Sequence, residues 1–577
     1  MFRYSIINHC RWSVLSSLIS CHSSKNYSPT LKKNFDKKTF DYFYTRRLKI
    51  FHDNQQQMSN HIRTHLESLL KTSSIITNLN DLNTKNTMKN FSQTLTIEQF
   101  NDLLFFAYEH NIKLDFLIKR LIECLIPMNK TISSNLFIEF INLLVLHQQK
   151  YYDYQTKNPN KILENIISSF EFNLTDEQIK NISLIDLSLL CSAMYRLQMP
   201  LKNQNLLDYI GQYLINDEKK KILSAVDKQN FIKILTLSNY GKISIANSLT
   251  NRFNQSFEQH RKLKLNTFSY EIVRMTMRIG IYLLTFRFYS KDFFHNCLKL
   301  IEFESNSSST LYRAKDMIQI MNTLIYMGYI KKNNMKYMNL IYTYDKMKQF
   351  EQKPERLVDV LAPLAMIGEF PEDLLEKLFT KENLNQLLES RMKEKLFFIS
   401  QSHKLLCSPQ RPYLDQMYLD SLPRHLYGSW EIEKRKRPYF SIVMQRLLEC
   451  VPNRYYVKSA FILKHFKSPD IIIHLNINQQ PQIIPNETKK SLQSFDKNED
   501  NGSMYALEVL CEEELCANDP LRPFGLFYAK ARQLQKLNYI PVIIYPSDFL
   551  HQLRTKEEIF KWIVKRAQAT ELLLNEN

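Results

Sequence analysis

Apolar side chains recur through residues 96–380 at about the first, fourth, fifth and eighth places of successive runs. That spacing is one face of a 3.6-residue helix. The runs begin near positions 98, 135, 186, 229, 268, 316 and 356. DLSLLCSAMYRLQ from Asp186, DMIQIMNTLIYMG from Asp316 and RLVDVLAPLAMIG from Arg356 show the pattern most clearly. Starts that average about 43 residues apart leave room for two helices and two turns in each unit. Gly241, Gly280, Gly328 and Gly368 fall at the ends of these runs, where glycine closes a helix by adopting the left-handed conformation. The pattern predicts an α-solenoid of helical hairpins. Its alternative is an irregular all-α domain whose periodicity is accidental.

The period changes near the C-terminus. DIIIHLNIN (Asp470–Asn478) alternates like a strand, and residues 479–503 are polar and read as a linker. MYALEVLC (504–511) reads as a buried strand carrying one acid, Glu508. PFGLFYAKARQLQKLNY (523–539) reads as a helix with Leu526, Leu534 and Leu537 facing the core and Lys530, Arg532 and Lys536 on polar sides. YIPVIIY (539–545) is a second strand, whose Pro541 restricts it to an edge or a strand start. Thr555–Glu558 is a capping box for a last helix with Ile559, Phe560, Ile563 and Val564 inward. Strand, crossover helix and strand imply a parallel pair. The fold class is therefore mainly α, ending in a small α/β module.

Composition removes whole classes of chemistry. The 577 residues hold 8 glycines, and no two are closer than 23 positions. Dinucleotide loops, Walker A loops, protein-kinase glycine loops and GxSxG elbows all need clustered glycines. No stretch of 18 apolar residues exists, so no membrane span is expected. Nine cysteines without a CxxC pair suit reduced thiols better than a disulfide framework or a zinc ribbon. Neither a metal nor a cofactor is expected.

The net charge of +19 is concentrated in two places. Residues 1–50 carry ten Lys/Arg against two Asp, interleaved with serines and apolar residues, the composition of a mitochondrial presequence. Residues 1–45 are assigned to it, residues 46–95 to a polar spacer, and the expected location is the mitochondrial matrix. Residues 424–467 carry ten Lys/Arg against three Glu. There, PNRYYVKSAFILKHFK (452–467) mixes cations with aromatic residues, which suits phosphate pairing with base stacking. An amphipathic helix with its aromatic residues in the core would read the same way.

ALEVLCEEELCANDPLRPFGLFYAKARQLQKLNYIPVIIYPSDF resembles the RAP domain, an RNA-binding module. Glu508-Val509-Leu510, Gly525, Lys530-x-Arg532-x-Leu534, Tyr539 and Val542–Ile544 before Pro546 carry the likeness. SHKLLCSPQRPYL (402–414) resembles the second FAST-type domain, and residues of about 312–380 resemble the first. The chain thus resembles the Fas-activated serine/threonine kinase (FASTK) domain proteins of mitochondria. The resemblance divides it into helical repeats (96–310), repeats resembling the first FAST domain (311–385), a basic segment resembling the second (390–478), the linker (479–503) and the RAP domain (504–566). Despite the family's name, no HRD or DFG run is present, so the parts of a phosphoryl-transfer site are missing.

What the resemblance implies is a mitochondrial RNA-binding protein that regulates processing, stability or ribosome-related use of mRNA or rRNA. Its expected RNA contacts are Arg435, Arg437, Arg454, Tyr455, Tyr456, Lys458, Lys530 and Arg532. A second reading follows from the similarity of RAP domains to the restriction-endonuclease fold. Glu508, the nearby acids Glu512–Glu514 and Asp519, and Lys530 would then form a Mg-dependent endoribonuclease site. Leu510 stands where that fold prefers lysine, which leaves the catalytic set incomplete. A third reading is a solenoid scaffold for RNA-processing or ribosome-assembly proteins.

Overall fold

The computed structural model describes residues 133–151, 174–220, 223–262, 270–305, 314–330, 354–388, 392–407, 437–466, 468–484, 502–550 and 556–575, with isolated positions between 101 and 171. The presequence, the polar spacer, the start of the run near residue 98, residues 408–436 of the basic segment with Arg435, and Thr555 of the expected capping box lie outside these residues. The chain is mainly helical with a small C-terminal sheet region, and it divides into two compact units between Arg252 and Phe253.

The first unit contains α1 (Ser134–Tyr151), α2 (Asp176–Asn181), α3 (Leu184–Leu197), α4 (Gln204–Lys220) and α5 (Ala225–Leu237), with the start of α6 (Ile243–Lys262). Ser183 caps α3 by accepting from the Asp186 N–H, and Ser224 forms a capping box with Asp227 at the start of α5. Leu187, Leu190, Cys191 and Met194 bury the predicted face of α3, which packs on α1 and α5.

The second unit continues with α7 (Tyr270–Phe286), α8 (Lys291–Ser305), α9 (Ala314–Tyr326), α10 (Pro354–Ile367), α11 (Glu372–Leu378), α12 (Lys381–Leu388) and α13 (Lys393–Cys407). Here α7 packs on α9, α9 on α10, and α10 on α13.

A single closing device recurs across both units. Gln198, Asn239, Arg287, Gly328 and Gly368 each adopt a left-handed backbone, with φ of 58°, 56°, 62°, 65° and 84°. One residue later the N–H reaches back five positions: Met199 to Met194, Tyr240 to Leu235, Phe288 to Leu283, Tyr329 to Leu324 and Glu369 to Leu364, all at 2.9–3.0 Å. This is the Schellman closure of α3, α5, α7, α9 and α10. Only two of the four glycines expected to do this do so. Asn239 closes α5 two residues before Gly241, and Gly280 lies inside α7 against Thr323.

The C-terminal part begins earlier than residue 504. α14 (Pro438–Cys450) leads through a 3-10 turn at Arg454–Tyr456 into β1 (Val457–Ala460), then β2 (Asp470–Leu475) and β3 (Pro481–Gln482). These strands share a five-stranded sheet with β4 (Ser503–Val509) and β7 (Ile540–Ile544), in the order β1-β2-β4-β7 with β3 beside β2. β1, β3 and β4 pair antiparallel with β2, while β4 and β7 form the expected parallel pair. Pro541 does sit on an edge strand. Between them lies a hairpin that the periodicity did not predict, β5 (Leu515–Cys516) and β6 (Asp519–Pro523).

Alternation along the strands sends Ile471, Ile473, Tyr505, Leu507, Val509, Val542 and Ile544 to one face. They form a core there with Phe440, Val443 and Leu447 of α14, and with Ile559, Phe560 and Ile563 of α17 (Lys556–Asn575). α15 (Gly525–Lys536) follows β6 and packs against α9, α10 and α13, and α16 (Pro546–Leu550) follows β7. Phe527, Tyr528, Ala531 and Leu534 are among the buried positions of α15, whereas Leu526, expected in the core, is 41% exposed. Gly525 permits this docking: a Cβ there would stand 1.9 Å from the Ile325 carbonyl oxygen.

Candidate nucleic-acid interface

The register that pairs Ile471 with Leu507 and Ile472 with Ala506 places Asp470 beside Glu508, on the sheet face opposite the α14 core. Lys530, one turn into α15, reaches this face. Its ammonium donates to the Ser468 carbonyl and hydroxyl oxygens at 2.9 Å each, lies 2.9 Å from Asp470 Oδ1 and contacts Glu508 Oε2. Asp470, Glu508 and Lys530 are 0%, 5% and 1% exposed.

Arg437, the residue before α14, extends the cluster. Its Nη1 donates to the Val509 carbonyl oxygen at 3.1 Å and to Glu514 Oε2 at 3.1 Å, its Nη2 pairs with Glu514 Oε1, and Glu508 Oε1 lies 3.9 Å from Nη1. Three carboxyl groups thus surround two cations in a buried site. Burial pushes the Asp470 carboxyl up to about 7, opposed by Lys530 and reinforced by Glu508. Burial likewise raises Glu514 against the pull of Arg437. Burial by itself would lower Lys530, but Asp470 and Glu508 outweigh it and hold the ammonium above the usual lysine range.

Chemically, two acids and a lysine at one end of a sheet are the groups of a metal-dependent nuclease. Here the Lys530 ammonium bridges both carboxylates, the position from which a divalent ion would have to be held. Leu510, two residues beyond Glu508, is fully buried in an apolar cluster, and the lysine beside Glu508 comes from α15 instead. Of the other acids expected nearby, Glu514 turns inward to Arg437, and Asp519 pairs with Arg522 at 3.2 Å. Among the described residues no group of three His, Cys, Asp or Glu side chains is placed to hold a metal ion.

The cations expected to meet RNA fall into two sets. Lys530 and Arg437 are interior ion-pair partners. Arg532 is half-buried and donates to the Met366 carbonyl oxygen at 2.8 Å, tying α15 to α10, and burial lowers it to about 10. All three are corrected from surface contacts to structural ones, because α15 is enclosed by the sheet on one side and helices on the other.

The second set lies in and around β1, an edge strand of the sheet. Arg454 and Lys458 are exposed, as is Lys464 in the loop from β1 to β2. From Cys450 to Ile484 the single acid is Asp470, which is buried with Lys530. Arg454, Lys458 and Lys464 form no ion pair among the described residues. Tyr455 is 52% exposed, and the Arg454 guanidinium carbon lies 5.6 Å from its ring centroid. Tyr456 instead packs against the core, and Phe466 is buried, so the segment is a turn and strand rather than an amphipathic helix.

Asp470 is the member of the cluster that the sequence alone did not single out. Alternation in DIIIHLNIN puts Asp470 out of phase with Ile471 and Ile473, a usable signal, whereas nothing in the acid run Glu512–Glu514 marks Glu514 as the one that turns inward to Arg437. No protein-family model and no curated protein matches the chain.

Proposed function

We propose that the protein binds RNA in the mitochondrial matrix and regulates the processing, stability or ribosome-related use of its target. In this reading the helical pairs form a solenoid, the C-terminal sheet is a RAP-type module, and no ATP chemistry is involved. The observation that carries it is the edge at β1, which presents Arg454 and Lys458 to solvent beside an exposed Tyr455, neither cation having an ion-pair partner among the described residues. Cations without carboxylate partners are available to phosphates, and their counterion release makes affinity fall steeply with salt. The presequence composition supports the location.

Fluorescence anisotropy with labelled RNA at several salt concentrations tests the reading. Replacing both Arg454 and Lys458 with Ala lowers affinity and flattens the salt dependence by about one unit of slope per lost phosphate contact. An unchanged slope rejects this edge as the RNA surface.

The convergence of Asp470, Glu508 and Lys530 favours a second reading, a Mg-dependent endoribonuclease. The enclosed ammonium weighs against it. Metal-dependent RNA cleavage that disappears in Glu508→Gln would support it. A scaffold for RNA-processing or ribosome-assembly proteins instead requires a protein partner that stays bound after RNase treatment.

A further inference from the structure

Tyr455 is held at its backbone, while its side chain stays half exposed, with the Arg454 guanidinium carbon 5.6 Å from the ring centroid. Its N–H donates to Asn453 Oδ1 at 2.9 Å, and its carbonyl accepts from the Ile484 N–H at 3.0 Å. That second bond brings the end of β3 alongside the turn, so Ile483, 56% exposed, borders the same strip. β2 explains the arrangement: β1 pairs with Asp470–Ile473, and β3 takes over the same edge at His474 and Leu475. The strip therefore holds a preset aromatic ring, an exposed aliphatic side chain and the cations Arg454 and Lys458.

We propose that Tyr455 stacks on one unpaired base, so that this edge selects single-stranded over duplex RNA; the inference rests on the RNA-binding reading above. A base in a duplex has both faces covered by its neighbours, and a ring cannot reach them without unstacking the helix. An unpaired base offers its face freely, and stacking on an aromatic side chain tolerates any base identity. Fixing the backbone on both sides of the ring limits the entropy lost on contact. Arg454 and Lys458 supply phosphate contacts on either side of the ring in sequence, which suits a strand running along the edge. An acidic peptide would satisfy the cations but would leave the ring without a planar partner.

The test compares an unstructured pyrimidine oligonucleotide with an RNA duplex of the same phosphate number, using the full chain. Tyr455→Ala is expected to weaken single-strand binding roughly tenfold and to leave duplex binding and the salt slope unchanged. Tyr455→Phe, which keeps the ring, should restore single-strand affinity. Equal losses on both RNAs, or no loss on either, overturn the inference. The Arg454→Ala/Lys458→Ala variant separates the two levels. If it flattens the salt slope while Tyr455→Ala does nothing, stacking is wrong and RNA binding at this edge stands. If neither variant has an effect, both are wrong.

Discussion

The Lys530 ammonium lies 2.9 Å from the Asp470 carboxylate, in the interior of the C-terminal sheet module rather than on its surface. Removing one member of a buried ion pair leaves the others uncompensated, a loss of about 3–5 kcal/mol. Lys530→Met is expected to destabilise the protein by that order in urea unfolding. Combining it with Glu508→Gln and Asp470→Asn should recover part of the loss, because the remaining groups are neutral. If Lys530→Met has wild-type stability and reduced RNA affinity, the lysine is a surface contact after all.

The same cluster gives a pH dependence whose sign can be worked out. Asp470 is raised to about 7 from an ordinary value of 3.8, so the folded state holds its proton longer than the unfolded chain does. This contribution is fully present below about pH 4 and is lost as pH rises through 7, with a slope of up to about 1.4 kcal/mol per pH unit. His465 opposes it. Burial lowers its imidazole to about 4, so its contribution is present above 6.5 and lost as pH falls. Comparing Asp470→Asn with wild type isolates the first effect. The stability gained by the variant should grow from pH 4 to 7 and then level off; a constant difference would contradict a raised Asp470.

Gly525 marks where α15 crosses the end of α9. A methyl group there meets a backbone oxygen, which cannot rotate away. Gly525→Ala should cost about 1–3 kcal/mol, the usual range for overpacking, read as a lower midpoint in thermal or denaturant unfolding. A neutral result would mean that α15 is not seated on Ile325 as described.

Asn518 joins the β5–β6 hairpin to the turn after α7 by pairing with both backbone groups of Tyr289: its carbonyl accepts at 2.7 Å and its amide donates at 2.8 Å. The Arg522 guanidinium lies 3.9 Å from the centroid of the same Tyr289 ring. Asn518→Ala should expose this seam, giving faster amide exchange in residues 515–523 with RNA affinity unchanged. Equal protection in variant and wild type would show that the hairpin does not depend on the seam.

Much of the helical part is legible in the sequence, because its periodicity is local. The predicted runs at 135, 186, 229, 268, 316 and 356 fall on α1, α3, α5, α7, α9 and α10. Their ends are less legible, since Gln198, Asn239 and Arg287 close helices in the left-handed conformation that glycine adopts most readily. The parallel pair of β4 and β7 also follows from pattern. What local pattern does not carry is enclosure from two sides. Lys530 and Arg532 lie on the polar stripe of an amphipathic helix, yet that stripe meets the sheet and α10 rather than water. The acids that make Lys530 tolerable come from β2 and β4, and only the strand register brings them together. Arg454 and Tyr455 differ in that they stay exposed, so local pattern does not misplace them relative to solvent.

The most direct test of the account is ultraviolet crosslinking of the full chain to RNA, with the crosslinked peptide identified by mass spectrometry. The account predicts a crosslink within the segment spanning Arg454 to Lys458, centred on Tyr455, and lost in Tyr455→Ala. Crosslinks confined to α15, around Lys530 and Arg532, or none anywhere on a folded and soluble protein, would contradict it.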